Sequence, residues 1–434
     1  MTTSRRTLLA SALFGAGYVG LRALATGLPA AALLKGRNAV AQVGACTDPS
    51  KAQFIIFNTL GSGDPLNANC PGTYADSRIV HTSDPLMAAT SLTLAGTPTT
   101  AAKPWSTLPQ SVLDRTCFWH LRTNTPIHPE EPSVLKLYGA TAPSEMLPSL
   151  LSKHQAACLG TVQAQPLTLG AVNPSEALSY EGRALPSLPP LALKTTLTNP
   201  RGPLSNLQAL RDDTLGKLDG IYRNQATKAQ RAYLDSVMTS QTQARNINQD
   251  LLEALSSITD NSVEAQIKAA IVLIRMNVTP VVGIRIPFGG DNHNDTGLVE
   301  ETTETISGVA AIKSMMEQLA AAGLSDRVTF MSLNVFGRTL GAGSLGGRQH
   351  NENHQVSLTI GKAFRGGVIG GVRPVGDDFG CTGIDPTTGR TGTGIAAGET
   401  LASFGKTTLA SVGVADEVIG YAISAGQVVS GALA

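Results

Sequence analysis

Short apolar runs that lead into polar or glycine-containing loops recur along the chain. The first run, at 52–67, reads AQFIIFNTLGSGDPLN. Similar runs lie at 115–125, 157–162, 279–295 and 326–339. Runs of this length, bounded by turn residues, predict buried strands that each deliver a loop.

Between the last two runs, the spacing of apolar residues predicts a long helix. The apolar positions are Ile306, Val309, Ile312, Met316 and Leu319. The opposite, polar face carries Glu300, Glu301, Glu304, Lys313 and Glu317. Gly323 suits the position just after the last turn. A strand, a helix and a strand form a crossover unit, so we expect the two strands to be parallel neighbours. The predicted class is α/β, with a doubly wound, mostly parallel sheet.

Two segments depart from this alternation. Residues 204–260 are polar and helical in pattern, and we interpret them as a helical insertion packed on the sheet. Its apolar face carries Ile247, Leu251, Leu255 and Ile258. Residues 160–203 are rich in Pro, Leu and Thr, and we expect a long surface excursion there.

The N-terminus has the pattern of a twin-arginine export signal. Arg5 and Arg6 precede an apolar run rich in Gly and Ala, and no acidic residue occurs before Asp48. AVAQ, at 39–42, offers a cleavage site after Ala41, which leaves one domain at 42–434. The alternatives are a membrane anchor, or a lipoprotein box that ends at Cys46. Export predicts the twin-arginine translocation machinery as a partner, a periplasmic or secreted protein, and no stable membrane span after cleavage.

Composition excludes several classes of function. The chain has 33 Lys and Arg against 32 Asp and Glu, without a long basic run, so nucleic acid is not an expected partner. The chain contains neither a P-loop, nor a dinucleotide fingerprint, nor a G-x-S-x-G elbow. Five cysteines lie far apart, which argues against a zinc-thiolate site and permits disulfides in an oxidising compartment.

The loop after the fourth apolar run carries a carboxylate and an imidazole that suit a metal ion. In GGDNHND, at 289–295, Asp291 and His293 lie two residues apart. Asp295 can orient the imidazole or act as a further ligand. Ordinary turns use the same residue types, so the motif alone leaves both interpretations open.

Two further candidates come from other loops. In GGRQHNENH, at 346–354, His350 and His354 would share a face if the segment were helical, although its glycines and amides favour a loop. Asp64, in the loop after the first run, is either a ligand, a hydrogen-bond acceptor or a turn residue before Pro65. Ligands of open parallel sheets bind beyond the carboxyl ends of the strands, so we expect the Asp64, Asp291 and His293 loops and the FGRT turn at 336–339 to gather at one edge.

The order of these motifs resembles the bacterial family called domain of unknown function 1501, of the alkaline phosphatase and sulfatase superfamily. The similar stretches are GSGDPLN at 61–67, GDNHN at 290–294, NVFGRT at 334–339, GGRQH at 346–350 and RGGVIGG at 365–371. The resemblance implies an alkaline-phosphatase-like fold and an edge cluster of Asp and His that holds one or two divalent metals, such as zinc, manganese or calcium. It further implies hydrolysis of a small anionic ester, either a phosphate or a sulfate, in the periplasm.

Carried over to this chain, the resemblance implies Asp64, Asp291, His293, His350 and His354 as metal ligands. It also implies Arg338 as an anion clamp.

The resemblance also makes Thr125 and His128 candidate catalytic residues. The family has a hydroxyl residue before the histidine, where this chain has Ile127, and Thr125 is the nearby hydroxyl. The family's Glu and Asp are replaced by Val335 and Gln349. These lost charges leave two hypotheses, which are a hydrolase with a partly degenerate site and a non-catalytic exported binding or scaffold protein on the same fold.

Overall fold

A computed structural model gives the structure of most of the chain beyond residue 52. The described residues are 53–60, 66–142, 145–161, 163–170, 178–198, 213, 217, 220, 221, 224, 227, 231, 249–288 and 291–434. The predicted signal at 1–41, Cys46 and Asp64 lie outside the described residues. So does most of the predicted insertion.

A seven-stranded sheet forms the centre of the protein. Its strands are β1 (Phe54–Leu60), β2 (Thr116–Leu121), β3 (Leu167–Thr168), β4 (Val281–Ile284), β5 (Val328–Asn334), β6 (Gln355–Ile360) and β7 (Gly367–Ile369). Two-stranded hairpins or pairs flank it at Ala89–Leu94 with Thr97–Ala102, Ser179–Tyr180 with Arg183–Ala184, Gly337–Arg338 with His350–Asn351, and Val372–Val375 with Asp378–Cys381.

The strands follow the spatial order β7-β2-β6-β5-β1-β4-β3. The pairs β1 with β4, β1 with β5, β3 with β4 and β2 with β7 are parallel. Strand β6 pairs antiparallel with both of its neighbours, β2 and β5, so it alone of the seven is reversed. The predicted mostly parallel α/β sheet is therefore confirmed.

Helices cover both faces of the sheet, as a doubly wound arrangement requires. The helices are α1 (Leu147–Leu159), α2 (Pro190–Thr198), α3 (Gln249–Ser256), α4 (Val263–Arg275), α5 (Val299–Ala321), α6 (Thr400–Ser411) and α7 (Asp416–Ala422), with short ones at Leu66–Asn69, Gln110–Leu113 and Glu131–Leu135. Phe54 and Ile56 of β1 belong to the core that contains α4 and α5, whereas Ile55 and Phe57 belong to the core that contains α1 and α6. Because both faces of β1 are buried, its sequence is a continuous apolar run.

Helix α5 confirms the amphipathic pattern, with one exception. Val309, Ile312 and Leu319 are buried, and Gly323 adopts a left-handed conformation two residues beyond the helix. Glu301, however, is fully buried and not on the exposed polar face where the sequence put it. The expected adjacency of β4 and β5 was also wrong, because β1 lies between them.

Two local predictions fail for physical reasons. The run at 157–162 was expected to be a strand, but its first residues form the last turn of α1, which Gly160 ends in a left-handed conformation. The expected surface excursion contains β3, an edge strand that pairs with β4, as well as buried residues such as Leu188 and Leu193. Its prolines separate short elements and do not keep the segment away from the core.

Candidate metal centre

The candidate residues meet at the edge of the sheet where the parallel strands end. His128 follows β2, and both Asp291 and His293 follow β4. His350 precedes β6, but that strand runs in the opposite direction, and its first residue lies beside the last residue of β2. The segment that enters β6 therefore reaches the same edge as the loops that leave its neighbours.

Three imidazoles and one carboxylate form a single cluster at this edge. His128, Asp291, His293 and His350 each offer one ligand atom, and these four atoms lie within 4.8 Å of one another. The Asp291 Oδ1 atom is 2.9 Å from His293 Nε2, 3.5 Å from His128 Nε2 and 3.8 Å from His350 Nε2. About half of the Asp291 side chain is exposed, so the cluster is open to solvent on its carboxylate side.

A short strand pair and a carbonyl group orient His350. Arg338 and His350 are direct partners in the antiparallel pair Gly337–Arg338 with His350–Asn351. The Nδ1 atom of His350 lies at the Pro126 carbonyl oxygen, which can only accept a hydrogen bond. Nδ1 therefore carries the proton, and Nε2 presents its lone pair to the cluster, as in many metal-binding histidines.

Phe336 forms an apolar support under two of the imidazoles. Its ring centroid is 4.8 Å from that of His128 and 4.3 Å from that of His350, and its side chain is fully buried. The Arg338 guanidinium also lies over this ring, 5.3 Å from its centroid. Packing against a rigid ring reduces the number of rotamers open to the imidazoles, which preorganises the cluster.

Arg338 is the cationic partner of Asp291. Its guanidinium is fully buried and donates from Nη2 to Asp291 Oδ1 at 3.0 Å. Partial desolvation acts to raise the pKa of Asp291, but the Arg338 hydrogen bond and charge, together with His293 and His128, outweigh it and lower that pKa. Asp291 is therefore a carboxylate at neutral pH, the form that binds a cation.

The donor set fits a divalent ion in composition and spacing. At metal–ligand distances of 2.0–2.2 Å, neighbouring ligands of a tetrahedral zinc lie about 3.4 Å apart. His293 Nε2 lies 2.9 Å from His350 Nε2, and the distances from Asp291 range from 2.9 to 3.8 Å. The four ligand atoms lie within 4.8 Å of one another, so the cluster has the dimensions of a coordination shell that closes further when an ion binds.

Two residues proposed from the sequence lie apart from this cluster. His354 is fully buried and bonds to His120. The segment from His350 to β6 is not helical, and its bends at Glu352 and Asn353 turn the His354 side chain away from the cluster. Thr125 is also buried, and its hydroxyl accepts a hydrogen bond from the Ile127 amide at 3.4 Å. A buried hydroxyl engaged in a turn is poorly placed to attack a substrate.

The His120 and His354 rings form a buried pair whose tautomers follow from their partners. His120 Nε2 is 2.9 Å from the Pro71 carbonyl oxygen and must donate to it. His120 Nδ1 then accepts from His354 Nε2 at 2.8 Å. The remaining nitrogen, His354 Nδ1, is buried with no hydrogen-bond partner among the described residues, so both rings are neutral. Burial lowers the pKa of His120 to about 4, against the weaker opposing effect of the Pro71 hydrogen bond.

An ion pair missed by the sequence reasoning lies beneath the cluster. Arg348 and Glu301 are both fully buried, and the guanidinium holds the carboxylate through Nε and Nη2. Arg348 also donates to the carbonyls of Thr339 and Val80, at 2.7 and 2.8 Å. In the sequence, Arg348 is only an arginine within a glycine-rich loop, and nothing nearby indicates Glu301 as its partner.

Asp295 has a different role from the one predicted. Its two carboxylate oxygens accept hydrogen bonds from the amides of Glu300 and Glu301, both at 2.9 Å. These amides belong to the first turn of α5, which has no intrahelical acceptors for them. Asp295 therefore fixes the start of α5 and does not belong to the ligand cluster.

The four described cysteines are in two states. Cys70, Cys117 and Cys381 are buried free thiols, whereas Cys158 is disulfide-bonded. Within the described part of the chain, no helix is both long and apolar enough to cross a membrane.

No family model matches the chain. No curated protein matches it either.

Proposed function

We propose that the protein is an exported metal-dependent hydrolase of small phosphate or sulfate esters, with an alkaline-phosphatase-like fold. The observation that carries the proposal is the convergence of His128, Asp291, His293 and His350 at the carboxyl edge of a mostly parallel sheet. The buried Arg338 beside Asp291 adds a fixed positive charge at the same place. The resemblance to the domain of unknown function 1501 family supports the same reaction class.

Charge accounting supports an anionic ligand. With neutral imidazoles, the charges of Asp291 and Arg338 cancel, so a divalent ion brings the site to a net charge of about +2. A positive site open to solvent attracts phosphate or sulfate groups. Because Arg338 is buried behind Asp291, it acts on such a group through its charge and by holding Asp291. This role differs from the direct clamp that the sequence suggested.

The donor types favour a transition metal. Imidazole nitrogen suits zinc and its neighbours in the first transition row, whereas calcium requires six to eight oxygen ligands. Three of the four donors here are imidazoles. Zinc or manganese therefore fits better than calcium.

The protein's own residues position this chemistry. A bound divalent ion would supply Lewis acidity, which would polarise the ester and lower the pKa of a water molecule so that its deprotonated form is available for attack near neutral pH. His350 is held in the ligating tautomer by the Pro126 carbonyl. Asp291 balances the charge of Arg338, and its exposed side leaves an approach for a small ester. Because Thr125 is buried, the attacking group is assigned to water.

A non-catalytic binding or scaffold protein is the second candidate. Four protein donors complete a tetrahedral shell, which is typical of structural zinc sites, while catalytic sites keep one position open. Val335 and Gln349 also stand where the resembling family has acidic residues. This hypothesis predicts stable protein without ester turnover.

Export is part of the proposal. The twin arginine, Arg5 and Arg6, and the cleavage site after Ala41 support passage through the twin-arginine translocation machinery to the periplasm or beyond. The disulfide-bonded state of Cys158 is typical of an oxidising compartment.

The proposal is tested by metal analysis combined with an ester assay. Protein purified without chelator is compared with the His293→Ala/His350→Ala double variant, and with His154→Ala, a matched control on α1 outside the cluster. We expect about one metal per chain in the wild type and the control, and none in the double variant. Turnover of aryl phosphate or aryl sulfate that disappears with the metal supports the hydrolase. Metal without turnover, or a folded wild type that stays metal-free after zinc and manganese are offered, refutes the hydrolase and supports the non-catalytic binding or scaffold protein.

A further inference from the structure

The buried Arg348–Glu301 pair lies where the segments that build the metal centre come together. Arg348 is two residues before His350, and Glu301 is in the first turn of α5, directly after the Asp291 loop. The Arg348 amide donates to the Asn292 carbonyl at 3.1 Å, between Asp291 and His293. The pair therefore joins the two segments that supply ligands, which are the loop after β4 and the segment that leads into β6.

The pair also contacts the other loops at this edge. Asn69, which follows β1, donates to Glu301 Oε1 at 2.9 Å. Thr339, just after the Arg338 strand, supplies its carbonyl to Arg348 Nη1. The Arg348 carbonyl in turn lies 3.5 Å from Arg338 Nη1. One ion pair thus connects the loops after β1, β4 and β5 with the segment before β6.

The backbones of the segments that carry His293 and His350 are closely packed at this junction. Gly347 has φ of +118°, and a Cβ atom there would overlap the His293 carbonyl group. The chain carrying His350 is therefore in direct contact with the chain carrying His293. A shift of either loop relative to the other changes the separation of the two imidazoles, which is 2.9 Å between Nε2 atoms.

Stabilisation of the fold does not by itself explain why these two charged side chains are buried. Desolvation of two charges offsets most of their attraction, so well-packed apolar replacements of buried pairs are often neutral or stabilising. A bidentate guanidinium–carboxylate pair does, however, fix distance and angle between the segments it joins. Here the segments joined are those whose relative position sets the ligand geometry.

We propose that Arg348 and Glu301 are positioning residues for the metal centre, which hold the His293 and His350 loops at the separation that one divalent ion requires. The inference rests on the proposed metal-binding function. Neither residue contacts the ion, and their effect is transmitted through the Asn292 carbonyl and the backbone on both sides of Gly347.

The test uses cobalt(II), whose visible absorption reports coordination geometry, on metal-free protein. Glu301→Gln removes the charge and keeps the shape of the side chain, and Arg348→Lys keeps the charge but loses the bidentate contact. Leu409→Ala is the matched control for stability, because it removes a fully buried side chain from α6, an element that carries neither a ligand of the cluster nor a member of the pair. Thermal melts measure the stability of each variant.

We expect both pair variants to bind cobalt about 10–100-fold more weakly, as for other residues that orient metal ligands, and with a changed absorption band. Leu409→Ala should bind like the wild type despite a lower melting temperature. Wild-type affinity and spectrum in both pair variants would overturn the inference and leave the proposed function standing. Equal weakening in Leu409→Ala, or failure of both pair variants to fold, would make the pair a stability element. Absence of cobalt binding in the wild type would overturn the inference and the function together.

Discussion

Acid should destabilise this protein through the buried His120–His354 pair, well before most carboxylates titrate. The pKa of His120 falls from its usual 6.5 to about 4 because burial disfavours the charged ring. In the unfolded chain His120 therefore binds a proton near pH 6.5, whereas in the folded protein it is not protonated until the pH falls to about 4. The contribution of the neutral His120 ring to the free energy of unfolding is fully present above pH 6.5 and is lost as the pH falls from 6.5 towards 4.

The expected magnitude follows from the two pKa values. The gap between 6.5 and about 4, at about 1.4 kcal/mol for each pH unit, comes to about 3 kcal/mol for His120 alone. Burial also lowers the pKa of His354, whose only remaining nitrogen has no acceptor for an added proton among the described residues. A loss of this size is a large fraction of the stability of a typical domain.

Urea unfolding at pH 7, 6, 5 and 4, in the presence of chelator, measures this effect apart from metal release. In His120→Gln the side chain at this position is neutral at every pH. The wild type should lose about 3 kcal/mol more than the variant between pH 7 and pH 4. Parallel pH profiles of the two proteins, or an NMR titration that gives His120 a pKa near 6.5, would refute the reasoning.

Two further predictions concern the segments that support the metal centre. Gly347→Ala should weaken cobalt binding at least about tenfold, because the added Cβ displaces the His293 carbonyl. Gly343→Ala is the control. It has open space around it and should bind cobalt normally in the same titration. Asp295→Ala should lower the free energy of unfolding by about 1 kcal/mol, because the Glu300 and Glu301 amides lose their acceptors at the start of α5. Urea melts measure this loss, and an unchanged midpoint would contradict the capping role.

The sequence predicts those parts of the fold that depend on local patterns. The run at β1 and the spacing of Val309, Ile312 and Leu319 in α5 each reflect burial of a continuous surface, and both elements are confirmed. Strand order depends on pairing between distant segments, which no local pattern records. For that reason β1 was not predicted to lie between β4 and β5.

The candidate site likewise contains residues that local sequence patterns predict and residues that depend on distant segments. Asp291 and His293 were expected at this edge because they lie in a loop at a predicted strand end, whereas His350 was assigned to the site through the family resemblance, and the structure brings all three together. His354 was assigned to the site by a spacing from His350 that requires a helix, and the segment instead bends at Glu352 and Asn353. Glu301 looked like an exposed helix residue, since its partner Arg348 lies in a different loop and contributes nothing to the local pattern.

The reversed direction of β6 makes the candidate centre depend on pairing between segments that are distant in the sequence. If this six-residue strand ran parallel to its neighbours, the segment before it would emerge at the opposite edge, about 20 Å from the other ligands. His350 joins the cluster only when β6 has been inserted between β2 and β5, so a nascent or truncated chain has no complete binding site. If the proposed export in the folded state holds, the metal would be taken up in the cytoplasm, from the ions available where β6 takes its place in the sheet.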